Sequence, residues 1–269
     1  MKLFVICCLY NKHISEIGSL TSFLALKNEK NVEIIIIDNS NSFIENENEK
    51  EYLRKYKNKI IYISNKDNLG LSKSYNIALE YISRLNLKHF WIMLADDDTI
   101  FSMEYFNNVW QKMKIGNAKI MTGLICSKDK ILAPMKKYHA IKRKRDIIQS
   151  CGIYRNIYCI NSGLFLDSDI LKKIKCFDEK LFVDMVDYWL MDKLMEYGIN
   201  KIEVVPGKIQ QSFSSVDNFD KGSTMKRFQI FKKDFVNYCK MTHKPFYFKF
   251  IILIKRSLKV RITTLGGSL

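Results

Sequence analysis

The chain has 269 residues, 47% hydrophobic and 27% charged, and its 44 Lys and Arg against 28 Asp and Glu give a formal charge of +16. That length and apolar content exclude a disordered tail or a small stapled scaffold and predict one compact α/β domain with an appendage. The seven cysteines form no C-x-x-C pair, which leaves no legible zinc site and favours reduced thiols.

Taken in chain order, Leu3 to Leu9 is an apolar run that reads as a buried strand, stopping at Tyr10 and Asn11. It starts at once and leads into the elements that follow, so no export signal is expected. A helix over roughly residues 14–26 separates it from Val32 to Ile37, a β-branched run of the kind buried on both faces. That run stops at Asp38-Asn39-Ser40-Asn41, and a polar stretch to Lys59 reads as a solvated helix or loop. Lys59 to Ile63 gives a third strand. Asn68-Leu69-Gly70-Leu71-Ser72 then turns into a helix over about 73–85, where Asn68 and Gly70 suit permissive backbone angles and the helix start favours an anion.

The strand His89 to Ala95 runs into Asp96-Asp97-Asp98-Thr99. Adjacent carboxylates repel and resist ionisation unless a cation or water compensates, so this strand end suits Mg²⁺ or Mn²⁺ bound through a few carboxylate oxygens and substrate phosphates. The competing reading is a solvated turn in which Asp98 or Thr99 caps a helix starting near Met103. An EF-hand loop is excluded, because its alternating ligands and its Gly are missing. In an open parallel sheet the carboxyl ends of the strands gather at one edge, which would bring Tyr10, Asn11, Asp38 and Asp96 to Asp98 together.

With IIIIDNSN at 34–41, NLGLSKSYNIAL at 68–79, LADDDT at 94–99, NSGLFLDSDILKKI at 161–174 and FDEKLFVDMVDYWL at 177–190, the chain resembles the family-2 glycosyltransferases. It is most similar in flavour to bacterial rhamnosyltransferases and other surface-polysaccharide enzymes. The resemblance implies a GT-A type Rossmann-like nucleotide-binding α/β sandwich over residues 1–215, followed by a helical extension over 216–269. It implies an inverting enzyme that moves a sugar from a UDP- or dTDP-sugar to a hydroxyl of a glycan or lipid-linked acceptor, with Mn²⁺ or Mg²⁺ as cofactor. In that family's pattern Asp96 and Asp98 line the donor phosphates, with Asp98 as direct metal ligand, and Asp38 meets the pyrimidine base. Tyr10, Asn11, Asn68, Gly70, Lys73 and Asp97 complete the donor-binding set, and Ser162 and Gly163 lie near donor sugar and acceptor. Asp187 matches the general base, with Asp184 three residues earlier as its neighbour on one helical face. The chain departs from the pattern at Gln211, which stands about where members often carry a metal- or phosphate-proximal His.

Two other classes compete. A nucleotidyltransferase could use a similar core, but it usually opens with a Gly- and basic-rich phosphate loop, and none follows the first strand. A non-catalytic basic adaptor would explain the charge without needing aspartates at strand and helix ends. The excess charge sits largely in two places, and no zinc finger, RNA-recognition signature or helix-turn-helix assigns it to nucleic acid. One is the run Lys136 to Arg145, a solvated loop or an anion clamp. The other is the tail from Pro245, where Lys249, Lys255, Arg256 and Lys259 share an arc of about 120° opposite most of the Phe, Tyr and Ile. This amphipathic pattern predicts a helix lying on an anionic membrane surface, the cytoplasmic face of the cell membrane, or else packing on the domain or in a homodimer. Its apolar run is far short of the roughly 20 residues that span a bilayer.

Overall fold

A computed structural model describes residues 1–25, 31–40, 47–128, 130–137, 146–211 and 221–265, with the side chains of 25, 221–223, 259 and 261–265 left out. Most of the basic run 136–145 and the boundary expected at 215/216 lie outside the described residues.

The opening follows the expected β-α-β pattern. Strand β1 (Lys2–Leu9) is followed by a single 3-10 turn (Ile14–Glu16) and helix α1 (Gly18–Ala25), then β2 (Val32–Asp38), α2 (Glu47–Lys55), β3 (Ile60–Ser64), α3 (Leu71–Ser83) and β4 (Phe90–Ala95). The second half supplies β5 (Thr99–Phe101), α4 (Met103–Ile115), β6 (Ile120–Ser127), β7 (Lys130–Ala133), β8 (Met135–Lys136), β9 (Gly152–Arg155), β10 (Ile157–Tyr158) and β11 (Leu164–Asp167). It ends in α5 (Ser168–Ile174), α6 (Val186–Glu196), β12 (Lys201–Gln211), α7 (Lys221–Met241) and α8 (Phe246–Leu265). The helix from Met103 begins as expected, but its cap is Ser102, whose Oγ accepts from Tyr105 N at 3.2 Å. Asp98 and Thr99 are therefore free of the capping role.

The main sheet runs β3-β2-β1-β4-β11-β6-β12-β5. β3, β2, β1 and β4 are mutually parallel, with Leu9 beside Asp38 and Cys7 beside Ala95. The chain winds outward from β1 to β3 and then returns to the other side of β1 with β4, which makes a switch point between β1 and β4 where a crevice opens at the carboxyl edge. β11 is antiparallel to both β4 and β6. Side-chain alternation along β1 feeds two cores. Phe4 and Ile6 pack with α3, α5, α6 and α7, whereas Leu3, Val5, Cys7 and Leu9 pack with α1 and α4. Cys7 and Cys8 thus face opposite sides, as expected of neighbours on a strand.

The tail is helical as expected, yet its faces are used differently. Phe248, Ile252 and Leu253 pack on the domain, and the Arg256 guanidinium lies 3.9 Å above the Phe231 ring. Solvent instead sees the stripe Phe246, Phe250, Ile254 and Leu258, flanked by Tyr247 and Ile251, with Phe246 73% and Leu258 52% exposed. The basic and apolar sides are therefore not simply outer and inner, because Arg256, although exposed, stacks on Phe231 of the domain. Among the described residues no helix is long and apolar enough to cross a membrane.

Candidate active site

At the carboxyl edge of the parallel strands lies a cleft of about 810 Å³. Its walls include Tyr10, Asn39, Asn68, Gly70, Asp96, Asp97, Asp98, Asp184, Asp187 and Gln211, so strand ends far apart in sequence meet as expected. α7 and α8 close one side with Arg227, Phe231, Phe235, Phe248, Ile252 and Arg256.

The acidic turn after β4 is held from several directions. Lys12 pairs with Asp97 at 2.8 Å, Ser162 Oγ accepts from Asp96 N at 3.2 Å and donates to Thr99 Oγ1 at 2.8 Å, and Asp97 O accepts from Gly18 N at 2.8 Å. Gln211, at the end of β12, donates from one Nε2 to Asp96 Oδ2 at 2.9 Å and to Asp98 Oδ1 at 3.2 Å. Burial, then Asp98, Asp97 and Asp187, push Asp96 up to about 7. Burial likewise raises Asp98, against the Gln211 hydrogen bond. Two carboxylates that share one donor and are pushed toward their acid forms by burial and by each other are groups that a cation between them would stabilise in the ionised state.

That geometry tests the expected metal. The converging oxygens are hard donors, and Gln211 Oε1, buried on the other end of the same amide, has no partner among the described residues. No group of three or more His, Cys, Asp or Glu side chains stands ready to hold a metal among the described residues. Mg²⁺ or Mn²⁺ would thus take Asp96 and Asp98 and complete its shell with water and phosphate oxygens, the habit of a small hard cation. The residues present fit it.

Asp187 lies in the first turn of α6, where its Oδ1 accepts from Tyr188 N at 2.8 Å. Burial is the largest influence and, with Asp184 adding to it, raises the carboxyl to about 6 although that N–H bond opposes the rise. The expectation that Asp184 and Asp187 share a helical face does not hold. Met185, the cap of α6, adopts a left-handed conformation with φ of 65°, so Asp184 belongs to the preceding loop. There it forms a two-point ion pair with Arg227. The loop itself is fixed from both sides. Asp234 of α7, fully buried, accepts from the backbone N–H groups of Phe182, Val183 and Asp184 at 2.9, 2.8 and 2.8 Å. Opposite, Leu71 N donates to Phe182 O at 2.5 Å, and Gly70 has a φ of 79° and no room for a Cβ, which would fall 2.5 Å from Phe182.

Other expected residues lie beside the cleft rather than on its surface. Asp38 is buried, with Oδ1 accepting from Ser40 N at 2.9 Å and Ser40 Oγ at 2.6 Å and Oδ2 accepting from Tyr62 Oη. Asn11 has a φ of 50° and donates its N–H to Ser40 Oγ at 2.8 Å. Ser162 and Gly163 are buried beneath the acidic turn, where the Gly163 carbonyl accepts from Tyr105 Oη at 2.7 Å. Lys73 is exposed on α3. The sequence reading missed Arg227, Asp234 and Lys12, and it counted Arg256 only as part of the tail's basic arc.

Comparison with known proteins agrees with this geometry. The model of the family described as glycosyl transferase family 2 matches residues 4–174. Among curated proteins, the dTDP-rhamnosyl transferase RfbF of Shigella flexneri is 23% identical over 208 residues, covering 76% of this chain and 66% of its own. Among solved structures, S. aureus TarS superposes with a TM-score of 0.57 at 18% identity, over 88% of this chain and 39% of that one. GalNAc-T7 with UDP, GalNAc and Mn²⁺ gives 0.66 at 14% identity, over 89% of this chain and 47% of that one. The chain therefore spans two thirds or less of each of these relatives. The shared fold is the GT-A sandwich, which α7 and α8 follow in this chain.

Proposed function

The chain belongs to glycosyl transferase family 2, and from that premise we propose that it is an inverting transferase of surface-polysaccharide synthesis, moving a hexosyl or rhamnosyl group from a UDP- or dTDP-sugar to a glycan or lipid-linked hydroxyl. The observation that carries this reading is the meeting, in one cleft, of the Asp96–Gln211–Asp98 cluster with a half-buried Asp187 whose carboxyl sits near 6. RfbF, whose name specifies a dTDP-sugar, and a GalNAc-T7 structure that holds UDP and Mn²⁺ support a pyrimidine nucleotide donor.

Asp187 is the general base. A carboxyl raised toward neutrality holds a proton more readily than an ordinary one, so it takes the proton of the attacking hydroxyl with less loss of driving force. Attack by that hydroxyl from the side opposite the leaving diphosphate inverts the anomeric carbon, and no covalent sugar–enzyme species is needed. When bound at Asp96 and Asp98, Mn²⁺ or Mg²⁺ supplies Lewis-acid stabilisation of the diphosphate's developing charge. Asp184, neutralised by Arg227, holds the loop before the base rather than sharing its proton. Asp38 reaches a pyrimidine N3–H only by exchanging Tyr62 or through a remaining lone pair. Residues 1–215 form the catalytic unit, and 216–269 both complete the cleft and dock the protein on the cytoplasmic face of an anionic membrane. The exposed apolar stripe of α8 and the net charge of +16 support that docking.

Calorimetry of UDP and dTDP with and without Mn²⁺, followed by transfer assays with a panel of their sugars, tests the reading. Metal-assisted binding of one nucleotide and release of that nucleotide on sugar transfer are expected. Absence of binding by any pyrimidine diphosphate would refute it.

A further inference from the structure

We propose that the cleft wall built by α7 and α8 is a subsite for an acceptor bearing a phosphate or diphosphate next to an apolar chain, with Arg256 binding the anion. The inference rests on the transferase reading above and adds the chemical class of the acceptor.

The electrostatic neighbours order the cleft. Asp96 feels Asp98, Asp97 and Asp187, and Asp187 in turn feels Asp184. Asp184 is bonded to Arg227, and Arg256 feels Asp184 and Arg227. Arg227 and Arg256 thus line the same cleft as Asp184 and the base, Asp187. A phosphate carried near a hydroxyl presented to Asp187 would meet guanidinium groups in that cleft.

The two arginines differ in what they have left to give. Arg227 spends two N–H groups on Asp184. Arg256 has no carboxylate ion pair among the described residues, and one face of its guanidinium is stacked on Phe231. Stacking fixes the plane of the fork while leaving its edge N–H groups free, and that edge matches two oxygens of a phosphate. Arg256 keeps much of its surface open to solvent while its stacked side is desolvated, which, joined by Arg227 and opposed by Asp184, lowers its affinity for its own proton.

Ile230, Phe231, Phe235, Phe248 and Ile252 give the same cleft an apolar surface beside Tyr238 and Lys244, whose ammonium is already paired with Asp192 at 3.0 Å. A sugar nucleotide has no use for such a surface, whereas a lipid chain does. α8 also joins the two environments, since Phe248 and Ile252 line the cleft while Phe246, Phe250, Ile254 and Leu258 face outward. If that outer stripe rests on a bilayer, a chain leaving the bilayer reaches the inner wall around one helix.

The probe is decyl diphosphate below its micellar concentration, titrated by calorimetry into protein saturated with Mn²⁺ and UDP or dTDP so that the donor site is filled. Decyl glucoside serves as the uncharged chain. Arg256→Gln should weaken decyl diphosphate binding at least about tenfold, the scale of one lost charge-assisted contact, and leave decyl glucoside unchanged. Arg256→Lys, which keeps the charge, should retain most of the affinity. Ile252→Asp should weaken both alkyl ligands. Equal weakening of both ligands by Arg256→Gln would reduce Arg256 to a packing role and overturn the proposal. So would a variant that still binds decyl diphosphate but no longer sediments with phosphatidylglycerol vesicles, because the anion would then be a bilayer headgroup. A parent that binds nucleotide but not decyl diphosphate refutes this inference alone, whereas one that binds no nucleotide refutes the transferase reading.

Discussion

Asp234→Asn tests whether the C-terminal helices are part of the active site. The Asp234 carboxylate is fully buried and receives three backbone N–H groups from residues 182–184. Asparagine keeps the shape but removes the charge and turns one acceptor into a donor aimed at the same N–H groups. Each orphaned donor costs about 1–3 kcal/mol. The loop can relax toward water in the cleft, so a total near 3 kcal/mol is expected rather than the full sum. For a chain of this size about 2–4 °C accompanies each kcal/mol, and the variant should melt roughly 6–12 °C below the parent by scanning calorimetry. The kinetic effect should be larger than the thermal one suggests. Asp187 is the third residue past this loop, after the cap Met185 and Val186, and a misplacement of about 1 Å can cost on the order of 10² in rate. Turnover should fall while nucleotide binding, which depends on Asp96 and Asp98, stays intact, and Asp234→Glu should recover part of the loss. A variant that melts with the parent and turns over normally would refute the argument.

Asp98→Asn should abolish Mn²⁺-assisted nucleotide binding and leave the apo protein folded or slightly more stable, because it removes one of the repelling carboxylates; calorimetry and a thermal melt check both halves. Asp187→Asn should keep nucleotide affinity but lose about 10² to 10⁴ in rate, the usual contribution of a general base. In the parent, kcat/KM should fall as pH drops through about 6, where Asp187 gains its proton. Its raised value also means that between the ordinary 3.8 and about 6 the folded chain holds a proton that the unfolded chain releases. Stability should therefore decrease with rising pH across that window, and the slope should be shallower in the melting profile of Asp187→Asn, with the part owed to the raised Asp96 and Asp98 remaining. Replacing Phe250, Ile254 and Leu258 with Ser should release the protein from phosphatidylglycerol vesicles without changing its melting temperature, since these side chains are exposed. Loss of self-association instead, seen by analytical ultracentrifugation with vesicle binding unchanged, would assign the stripe to a dimer.

The parallel half of the sheet was legible because its residues leave few choices. Val32 to Ile37 has nothing polar for solvent except Glu33, so it reads as a strand buried on both faces, and the polar residues that end such runs must gather at one edge. The cleft's acidic side followed directly. What failed was local geometry that only tertiary contact decides. The spacing of Asp184 and Asp187 fits one turn of helix, but the left-handed Met185 breaks the turn, and the N–H groups of residues 182–184 are paired with Asp234 instead. Ser162 and Gly163 carry the family's pattern but serve here as the bed beneath the acidic turn.

The C-terminal helices show where a signal existed and went unused. Phe231, Phe235 and Tyr238 repeat at helical spacing, and Asp234 falls within that apolar face as the only acidic residue of α7. A carboxylate on a buried stripe must find donors, and a helix whose own N–H groups are already paired has none to offer. Its partner must be another segment with unpaired N–H groups, which means a loop. The same reasoning applies to Arg256. A wheel that counts only charge places it with Lys249 and Lys255 on an outer face, yet its neighbours on the wheel include Phe248 and Ile252, which pack inward. A charge within an apolar arc is a better indicator of a site than a charge within a charged one, because only the first has to be compensated by something specific. Both residues that meet this criterion in the tail point into the cleft's surroundings, and neither carries a recognisable motif.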